Sequence, residues 1–265
     1  MTITGATTIL GLIADPLVQA RSPGLVNALL ERRGLLGKFV LVPMHVGVDG
    51  LADFTRGLRL VRNFAGAIVS MPHKIAIADL VDEMTPEARL VGAVNVIRHD
   101  AAGRLFGTML DGAGFVGGLS DAGYTVRGRA CLLVGAGGAA SAVAFALAKY
   151  GCASLTIVNR TQRKAAELAT RVAAANPSVR VSTTVDRHAR FDIAVNGTSL
   201  GMRPDDALPL TESLIDVSAL VAECVIAPEM TRLLTVARER GRAIHTGVPM
   251  LTAQLELMLN FMGVA

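Results

Sequence analysis

Tryptophan is absent from this sequence, and aromatic residues make up only 4% of it. Hydrophobic cores must therefore be built from Ala, Val, Leu and Ile, a composition that is common where helices pack on parallel sheets. With 51% apolar residues and a mean hydropathy of +0.47, the chain is too apolar to be disordered. Its 265 residues suit one large domain or two small ones.

Cysteine and histidine are also scarce. The three cysteines, Cys131, Cys152 and Cys224, are odd in number, widely spaced and surrounded by apolar residues, which favours core packing over chemistry. The five histidines are scattered, and no pair of them has the spacing of metal ligands. The sequence therefore predicts no metal site.

The charge is moderate, and no basic run is present. The formal net charge is +4 and the isoelectric point is near 9.3, but lysine is scarce and the arginines are not interleaved with aromatic residues. This pattern argues against nucleic-acid binding and favours a small anionic molecule as the partner.

No segment predicts a membrane span or a targeting signal. The longest uncharged stretch, residues 130–148, has a GAGGA centre that would pack poorly in lipid, and a strand, a turn and a helix explain it better. The N-terminal residues have neither a basic leader nor a small-residue cleavage site. We therefore expect a soluble, cytoplasmic protein without a membrane partner.

Short apolar runs alternate with helical patterns along the chain, which predicts α/β architecture with helices wound on parallel sheets. In the first half, we predict strands at 7–14, 38–44 and 64–70, a strand pair within 93–108, and helices at 22–34, 50–61 and 112–122. We expect Ser22 to cap the first helix, with Pro23 at its first position and Gly34 after its end.

The second half begins with a strand, a glycine turn and a helix at 130–151, and the strand–helix unit then repeats. Further strands are predicted within 191–202 and 220–230, and residues 250–262 are predicted to form one amphipathic helix. We assign residues 1–110 to a first domain and 111–246 to a second. The C-terminal helix of residues 247–265 is expected to pack back on the first domain.

The glycine-rich segment VGAGGAA, residues 134–140, lies where a buried strand is predicted to turn into a helix. Glycine at such a turn lets the backbone approach a pyrophosphate, whose charge then lies at the positive end of the helix. A glycine cluster alone is weak support for a nucleotide site. The end of the next strand, about 20 residues further on, is where a dinucleotide-binding fold contacts the adenosine ribose, so its residues show whether a dinucleotide is bound.

The next strand ends in VNRTQRK, without an acidic residue where an NAD site usually holds the ribose hydroxyls. Asn159 occupies that position, and Arg160, Thr161 and Lys164 follow it. Basic residues suit the 2′-phosphate of NADP, so the sequence favours NADP over NAD. The alternative is an ordinary exposed helix start, which is disfavoured because cations oppose the dipole at a helix N-terminus.

Three polar residues stand out in apolar segments of the first half. Lys74 follows the strand-like run FAGAIVSMP, Asn95 lies within GAVNV, and Asp111 follows Met109-Leu110. Simpler explanations exist, because Lys74 can reach solvent from a helix start and Asp111 can cap a helix. Their common location at or near strand ends instead indicates a ligand site, since ligands bind at the carboxyl ends of parallel strands.

These motifs together resemble the shikimate dehydrogenase family over nearly the whole chain. The matching segments, in the family's order, are DPLVQARSP, SMPHK, GAVN, LDGAGF, GAGGAA, NRTQRK, NGTSLGM, PEMTRLL and GVPMLTAQ. The resemblance implies an N-terminal α/β substrate domain, a C-terminal Rossmann-type dinucleotide-binding domain and a cleft between them. It also implies an NADP-dependent oxidoreductase that transfers a hydride reversibly between NADP and a shikimate-like cyclic hydroxy acid. A homodimer is compatible with the sequence, which does not determine the oligomeric state.

The resemblance also implies roles for individual residues. Lys74 and Asp111 would be the catalytic pair, with Lys74 handling the proton of the reacting hydroxyl and Asp111 orienting the lysine and the substrate. The substrate-binding positions would be Ser22, Ser70, Asn95 and Gln254. The cofactor-binding positions would be Gly135, Ala136, Gly137, Gly138, Ala139, Asn159, Arg160, Thr161, Lys164, Asn196, Thr198, Gly201 and Gly247. His73 belongs to the motif, but we interpret it as structural.

The sequence departs from the family's pattern around the substrate. In the stretch Gln19–Pro23 one of two serines is replaced by Ala20, Met109-Leu110 replace Asn-Thr, and Ile226 replaces a tyrosine. A hydrogen bond to a charged group contributes roughly 1.5–3 kcal/mol, so losing the partners at Ala20 and Ile226 would cost roughly 3–6 kcal/mol unless other groups replace them. The pattern therefore predicts retained chemistry with altered specificity.

Three functions stay open on this sequence. The first is oxidation of shikimate, quinate or an amino analogue, and the second is oxidation of an unrelated, less polar hydroxy acid. The third is a dinucleotide-binding regulator that has lost turnover. Retention of Lys74, Asp111, Asn95 and Gln254 together argues against the third.

Overall fold

The computed structural model describes residues 2–18 and 20–264. The chain divides into two compact units. The first contains the chain up to Leu110 together with the segment from Leu255 onward, and the second runs from Asp111 to Gln254.

The first unit is built on a six-stranded mixed sheet. Its strands are β1 (Thr8–Ala14), β2 (Phe39–His45), β3 (Phe64–Val69), β4 (Glu83–Met84), β5 (Val96–His99) and β6 (Leu105–Thr108). Its first three helices are α1 (Ser22–Arg32), α2 (Leu51–Leu58) and α3 (Pro86–Val91), and short 3-10 segments lie at Val48–Gly50 and Ala76–Asp79. The strand order is β2-β1-β3-β5-β6-β4.

The directions of these strands place several loops at one edge of the sheet. Strands β1, β2 and β3 run parallel, whereas β5 runs antiparallel to β3. The carboxyl ends of the three parallel strands therefore lie at the same edge as the amino end of β5. At this edge Asp15 N donates to Met71 O (3.0 Å), and Val69 N donates to Asn95 O (2.7 Å).

The second unit is built on another six-stranded sheet. Its strands are β7 (Ala130–Val134), β8 (Ser154–Val158), β9 (Arg180–Ser182), β10 (Phe191–Asn196), β11 (Ser218–Glu223) and β12 (Ala243–His245). Its helices are α4 (Asp111–Asp121), α5 (Gly138–Lys149), α6 (Gln162–Ala175), α7 (Glu212–Asp216), α8 (Arg232–Glu239) and α9 (Val248–Thr252).

All strands of the second sheet run parallel, in the order β9-β8-β7-β10-β11-β12. This is the Rossmann order, in which the winding reverses between the first and the fourth strand of the sheet, here β7 and β10. A buried apolar cluster that includes Leu132, Val221, Ile215 and Leu234 packs helices α7 and α8 on this sheet. The predicted α/β class and the Rossmann-type second half are confirmed.

The predicted capping of α1 is wrong. The N-cap is Arg21, whose backbone is helical and whose side chain makes no cap, and Ser22 is already the first residue of the helix. Ser22 is only 8% exposed, so its hydroxyl lies at the inner side of the helix start and not at a solvent-facing cap. Gly34 does follow the helix end, with a φ of 67°.

The predicted C-terminal helix is two helices. After α9 the chain is interrupted at Ala253 and Gln254, and α10 (Leu255–Phe261) follows. The units divide at this interruption, so α9 packs on α4 in the second unit, whereas α10 contacts β5 in the first. The segment from 247 to 254, which we assigned with the first domain, therefore belongs to the second unit.

In residues 2–18 and 20–264, no helix is long and apolar enough to cross a membrane. Within the same residues, no cluster of three or more His, Cys, Asp or Glu side chains is placed to hold a metal ion. Cys131 and Cys152 are buried, as expected for core residues, whereas Cys224 is partly exposed.

Candidate functional site

The turn between β7 and α5 requires glycine. Gly135 has a φ of +121°, and a Cβ there would lie 3.0 Å from the backbone of Gly197. A side chain is therefore excluded both by conformation and by space. Gly137 is the N-cap of α5, which begins at Gly138, and no side chain caps the amides of the first turn. Such a bare helix start leaves backbone N–H groups for an anionic group of a ligand.

A cavity of about 460 Å³ lies at the carboxyl edge of the second sheet. Its lining residues are Val134, Val158, Asn159, Arg160, Thr198, Ser199, Leu200, Leu208 and Pro209. These residues end or follow β7, β8 and β10, so the cavity lies where the strand order reverses. Ligands of open parallel sheets bind at this kind of position.

The end of β8 presents one basic side chain, Arg160, to this cavity, and no acid lies among the residues that follow directly. Asn159 Nδ2 donates to Thr161 O (3.0 Å), and Thr161 is the N-cap of α6, whose first turn contains no acidic residue. Arg163 is paired with Glu167 one turn along the helix (2.7 Å). The side chains of Arg160 and Lys164 have no hydrogen-bond or ion-pair partner within the described part of the chain.

The loop after β10 is organised by the buried side chain of Asn196. Its Oδ1 accepts hydrogen bonds from Thr198 N (3.0 Å) and from Thr198 Oγ1 (2.7 Å). Its Nδ2 donates to Leu200 O and to Glu223 Oε2, both at 2.9 Å. Gly201 then adopts a φ of +103°, a backbone conformation that favours glycine at this position of the loop.

Two acidic residues near this loop escaped the sequence analysis. Asp206 accepts from Gly201 N (2.9 Å) and Arg203 N (3.0 Å), and these backbone donors, that of Arg203 first, lower the pKa of its carboxyl. Glu223 is completely buried at the end of β11. The signal for Glu223 was present, because an acid ends the apolar run LVAE, but its partners are distant in sequence.

All but one of the proposed cofactor residues of the second unit lie at one edge of its sheet. Those that lie along the carboxyl edge of β7, β8 and β10 are Gly135, Ala136, Gly137, Gly138, Ala139, Asn159, Arg160, Thr161, Lys164, Asn196, Thr198 and Gly201. Of these, Asn159, Arg160 and Thr198 line the cavity. Gly247 does not line it; it is the N-cap of α9, and a Cβ there would lie 2.2 Å from Val225 O.

Asp111 and Gln254 come together in the second unit. Asp111 is the first residue of α4 and is 3% exposed. Gln254 Nε2 donates to Asp111 Oδ1 (3.4 Å) and to Met250 O (3.1 Å). The contact depends on close packing of α4 against α9, because a Cβ on Gly114 would lie 2.4 Å from Met250 O.

Lys74 and Asn95 lie at the carboxyl edge of the first sheet. Lys74 is partly buried in a turn after β3, and its carbonyl accepts from Val94 N (2.7 Å). Asn95 is 1% exposed, and its Oδ1 accepts from Leu110 N (2.8 Å). The antiparallel pairing of β3 and β5 therefore brings these two predicted site residues to one place.

The other predicted residues of the first unit frame this edge. Ser70 directly follows β3, and its amide donates to Ile13 O (2.9 Å) at the end of β1. His73 is buried and donates from Nε2 to Val46 O (2.7 Å), in agreement with a structural role. Ser22 starts α1 after the loop that leaves β1, and Gln19 of that loop lies outside the described residues.

The residues present fit a dinucleotide with a 2′-phosphate. The glycine turn leaves backbone amides accessible at the start of α5, the cavity lies at the switch point, and cations without partners in the described chain follow β8. An acid that would hold an unphosphorylated ribose is missing at the end of β8.

Two family models match the chain. The model described as the shikimate dehydrogenase substrate binding domain matches residues 12–97. The model described as shikimate / quinate 5-dehydrogenase matches residues 120–201.

Individual relatives match over almost the whole chain. A shikimate dehydrogenase (NADP(+)) of Rubrobacter xylanophilus is 39% identical over 266 residues, which cover 99% of this chain and 90% of the relative. The crystal structure of a shikimate 5-dehydrogenase from Thermus thermophilus in complex with NADP(H) and shikimate is 30% identical, with a TM-score of 0.84 over 97% of this chain and 93% of that one. A ligand-free 5-ketofructose reductase of a Gluconobacter strain is 29% identical, with a TM-score of 0.82 over 97% and 93%.

Proposed function

This chain belongs to the shikimate dehydrogenase family, and we propose that it is an NADP-dependent oxidoreductase that interconverts a shikimate-like cyclic hydroxy acid and its ketone. The observation that carries the proposal is the cation Arg160, which lines a cavity at the Rossmann switch point, while Lys164 follows in the first turn of α6. A 2′-phosphate would supply the negative charge that this helix start lacks.

Lys74 is the proposed proton-transfer residue. Oxidation of an alcohol requires that the hydroxyl oxygen lose its proton while a hydride leaves the carbon that bears this hydroxyl group. The nicotinamide of NADP accepts that hydride when bound. Lys74 Nζ takes the proton or stabilises the developing alkoxide, and it returns the proton in the reverse direction. Its partly buried position at the edge of the first sheet supports this role.

Asp111 is proposed to orient Lys74 and the substrate. The proposed substrate-binding residues are Asn95, Ser70, Ser22 and Gln254. The buried hydrogen bond from Gln254 fixes one oxygen of Asp111, which limits the orientations that the carboxylate can adopt. The side chain of Asn95 is held by Leu110 N, so its amide direction is also restricted. Residues locked in this way position a substrate more precisely than mobile ones.

A second candidate is a related reaction on quinate, an aminoshikimate or another hydroxy acid. Ala20, Leu110 and Ile226 replace polar residues of the family's pattern, which favours a less polar substrate. One structural neighbour, the 5-ketofructose reductase, is named for a different carbonyl substrate although its fold is the same. A regulator that binds the dinucleotide without turnover has no observation in its favour.

A steady-state assay of nicotinamide absorbance tests the proposal. Purified protein is incubated with shikimate, quinate or an aminoshikimate, each with NADP and with NAD. Efficient NADP-linked oxidation of shikimate supports the first function, and preference for another polyol acid supports the second. NADP binding without turnover of any of these acids would contradict the first function, exclude quinate and the aminoshikimate from the second, and favour the regulator.

A further inference from the structure

Glu223 is a buried carboxyl group for which the reaction has no use. It ends β11, is 0% exposed, and lies among apolar residues of the second sheet. Burial raises the pKa of Glu223 to about 7, and hydrogen bonds from Thr231, Val225 N and Asn196 act in the opposite direction. A carboxyl group without such partners would be strongly destabilising in this position, so its contacts define what it can do.

One carboxylate oxygen of Glu223 determines which way Asn196 points. Oε2 accepts from Asn196 Nδ2 (2.9 Å) and from Val225 N (3.4 Å). Because Oε2 already accepts from Val225 N, it is an acceptor, and the amide of Asn196 turns its NH₂ group toward it. The oxygen of Asn196 is then left facing Thr198, where it receives two hydrogen bonds.

The other oxygen ties the same carboxyl group to the start of α8. Thr231 Oγ1 donates to Glu223 Oε1 (2.7 Å), and the same hydroxyl accepts from Leu234 N (3.3 Å) as the N-cap of α8. The loop after β10 packs on this anchor, because a Cβ on Gly201 would lie 3.3 Å from Thr231 and 3.7 Å from Glu223 Oε1. Glu223 is therefore held from three directions.

The loop that Asn196 holds forms one wall of the cavity. Thr198, Ser199 and Leu200 line it together with Asn159 and Arg160, which follow β8. Leu200 is fixed twice, through its carbonyl by Asn196 Nδ2 (2.9 Å) and through its amide by Thr198 Oγ1 (3.1 Å). Hydrogen bonds thus run without a gap from Glu223 through Asn196 to the residues that line the cavity.

We propose that Glu223 is a positioning residue of the dinucleotide site, which acts through Asn196 to hold the loop Thr198–Gly201 in its binding conformation. This inference rests on the proposed function, because it assigns the cavity to NADP. Glu223 does not touch the cavity itself, since the lining residues do not include it.

Calorimetric titration with NADP on the full-length protein, together with steady-state kinetics, tests this role. Glu223→Leu removes both acceptors and is expected to raise the Kd for NADP at least tenfold, while kcat at saturating NADP stays within about threefold. Glu223→Gln keeps an acceptor for Asn196 and a donor for Thr231, so its Kd should stay within about threefold of the unmodified protein. In case Glu223→Leu does not fold, Glu223→Ser leaves room for a water among three polar partners and should raise the Kd at least threefold.

Ser218→Ala is the matched control. Ser218 is buried at the opposite end of β11 and donates to Leu214 O (2.6 Å), so its removal weakens the same strand away from the cavity. An equal loss of NADP affinity in Ser218→Ala would overturn the proposal, because the effect would then be general destabilisation. So would a Kd within twofold of the unmodified protein in folded Glu223→Leu or Glu223→Ser. If the unmodified protein itself binds no NADP, the proposed function fails first, and this inference fails with it.

Discussion

At the scale of the residue, backbone pairing at the edge of the first sheet holds the segment that carries Lys74. The amide of Val94 donates a hydrogen bond to the carbonyl of Lys74, and Asn95 is the next residue after Val94. The backbone position of the lysine therefore depends on the pairing of β3 with β5.

Lys74→Ala is expected to lower kcat by about two to four powers of ten, the usual contribution of a positioned proton-transfer group. The Kd for NADP should stay within about twofold, because the residues that line the dinucleotide cavity do not include Lys74. Initial rates and calorimetric titration measure the two quantities. Lys38→Ala, an exposed lysine of the same unit, is the control. Comparable turnover in Lys74→Ala would remove this residue from the mechanism.

Arg160→Ala is expected to weaken NADP far more than NAD. A hydrogen bond between charged groups is worth roughly 1.5–3 kcal/mol, which corresponds to a rise of about 10- to 150-fold in the Kd for NADP. The Kd for NAD, which lacks the 2′-phosphate, should change by less than about threefold. Titration of both dinucleotides measures the difference.

Arg163→Ala is the matched control for Arg160→Ala. Arg163 lies on the same helix start but is engaged with Glu167, so its removal should affect NADP much less. Equal losses for NADP and NAD in Arg160→Ala would mean that this arginine does not read the 2′-phosphate.

At the scale of the element, α4 and α5 approach each other through glycine. A Cβ on Gly112 would lie 2.4 Å from Ala142 O and 2.8 Å from the Ala146 Cβ, both on α5. The glycines of α4 lower its intrinsic helix stability, yet they allow the backbones to come this close. Tertiary packing outweighs propensity in this helix.

Gly112→Ala should lower the free energy of unfolding by about 1–3 kcal/mol, because the added methyl group overpacks the contact with α5. Gly57→Ala is the control in an exposed helix position, where nothing lies within 4 Å of the new Cβ. It should raise the free energy of unfolding by up to about 1 kcal/mol through helix propensity. Urea denaturation measures both variants. A stabilised Gly112→Ala would contradict the close approach of α4 and α5.

Most element positions follow from the sequence, but two details do not. Alternating apolar runs and glycine turns locate β1, β3, β7 and α5 well, because these elements are defined by their own residues. The cap of α1 and the break between α9 and α10 depend on what each helix packs against. Ser22 is buried at the start of α1. The C-terminal helix is interrupted between α9, which packs on α4, and α10, which contacts β5.

At the scale of the whole molecule, two buried ionisable groups give opposite pH dependences of unfolding. The pKa of Glu223 is raised from 4.5 to about 7 by burial, so the folded state binds more protons between these values. Its contribution to stability is therefore lost as the pH rises through this window. Burial lowers the pKa of His245 below 6.5, so its contribution is complete above pH 6.5 and is lost as the pH falls.

Glu223→Gln removes the first of these titrations. The difference in the free energy of unfolding, variant minus unmodified protein, should increase by about 3 kcal/mol between pH 4.5 and pH 7 and change little above pH 7. This amount is the free-energy equivalent of the shift in the pKa of Glu223. Urea denaturation at a series of pH values measures the difference. A difference that is independent of pH would mean that Glu223 does not titrate in this range.

His245→Phe tests the second titration. The Nε2 atom of His245 is buried and has no hydrogen-bond partner in the described chain, and the ring lies edge-on to Phe115 and Tyr124. Phenylalanine fills a similar volume and cannot be protonated, so the variant should gain stability over the unmodified protein as the pH falls below 6.5. Thermal unfolding at pH 5 and pH 8 shows this trend, and a larger gain at pH 8 would contradict it.

The sequence by itself determined the family, the α/β class, the Rossmann-type second half and the basic residues after β8 that favour NADP. These features reside in contiguous segments, since a glycine turn or a basic helix start is complete within a few residues. The family resemblance is confirmed by the relatives, whereas the roles of Lys74, Asp111 and the substrate-binding residues stay predictions.

Only the tertiary structure decided which distant residues act on one another. The bond between Gln254 and Asp111, the network from Glu223 through Asn196 to Thr198, and the ring contacts of His245 with Phe115 and Tyr124 each join elements that are far apart in the chain. A buried polar atom is stable only when particular partners reach it, and those partners are set by strand order and helix packing. Local sequence patterns do not carry that information, which is why Glu223 was visible as an acid in an apolar strand but not as the anchor of a loop.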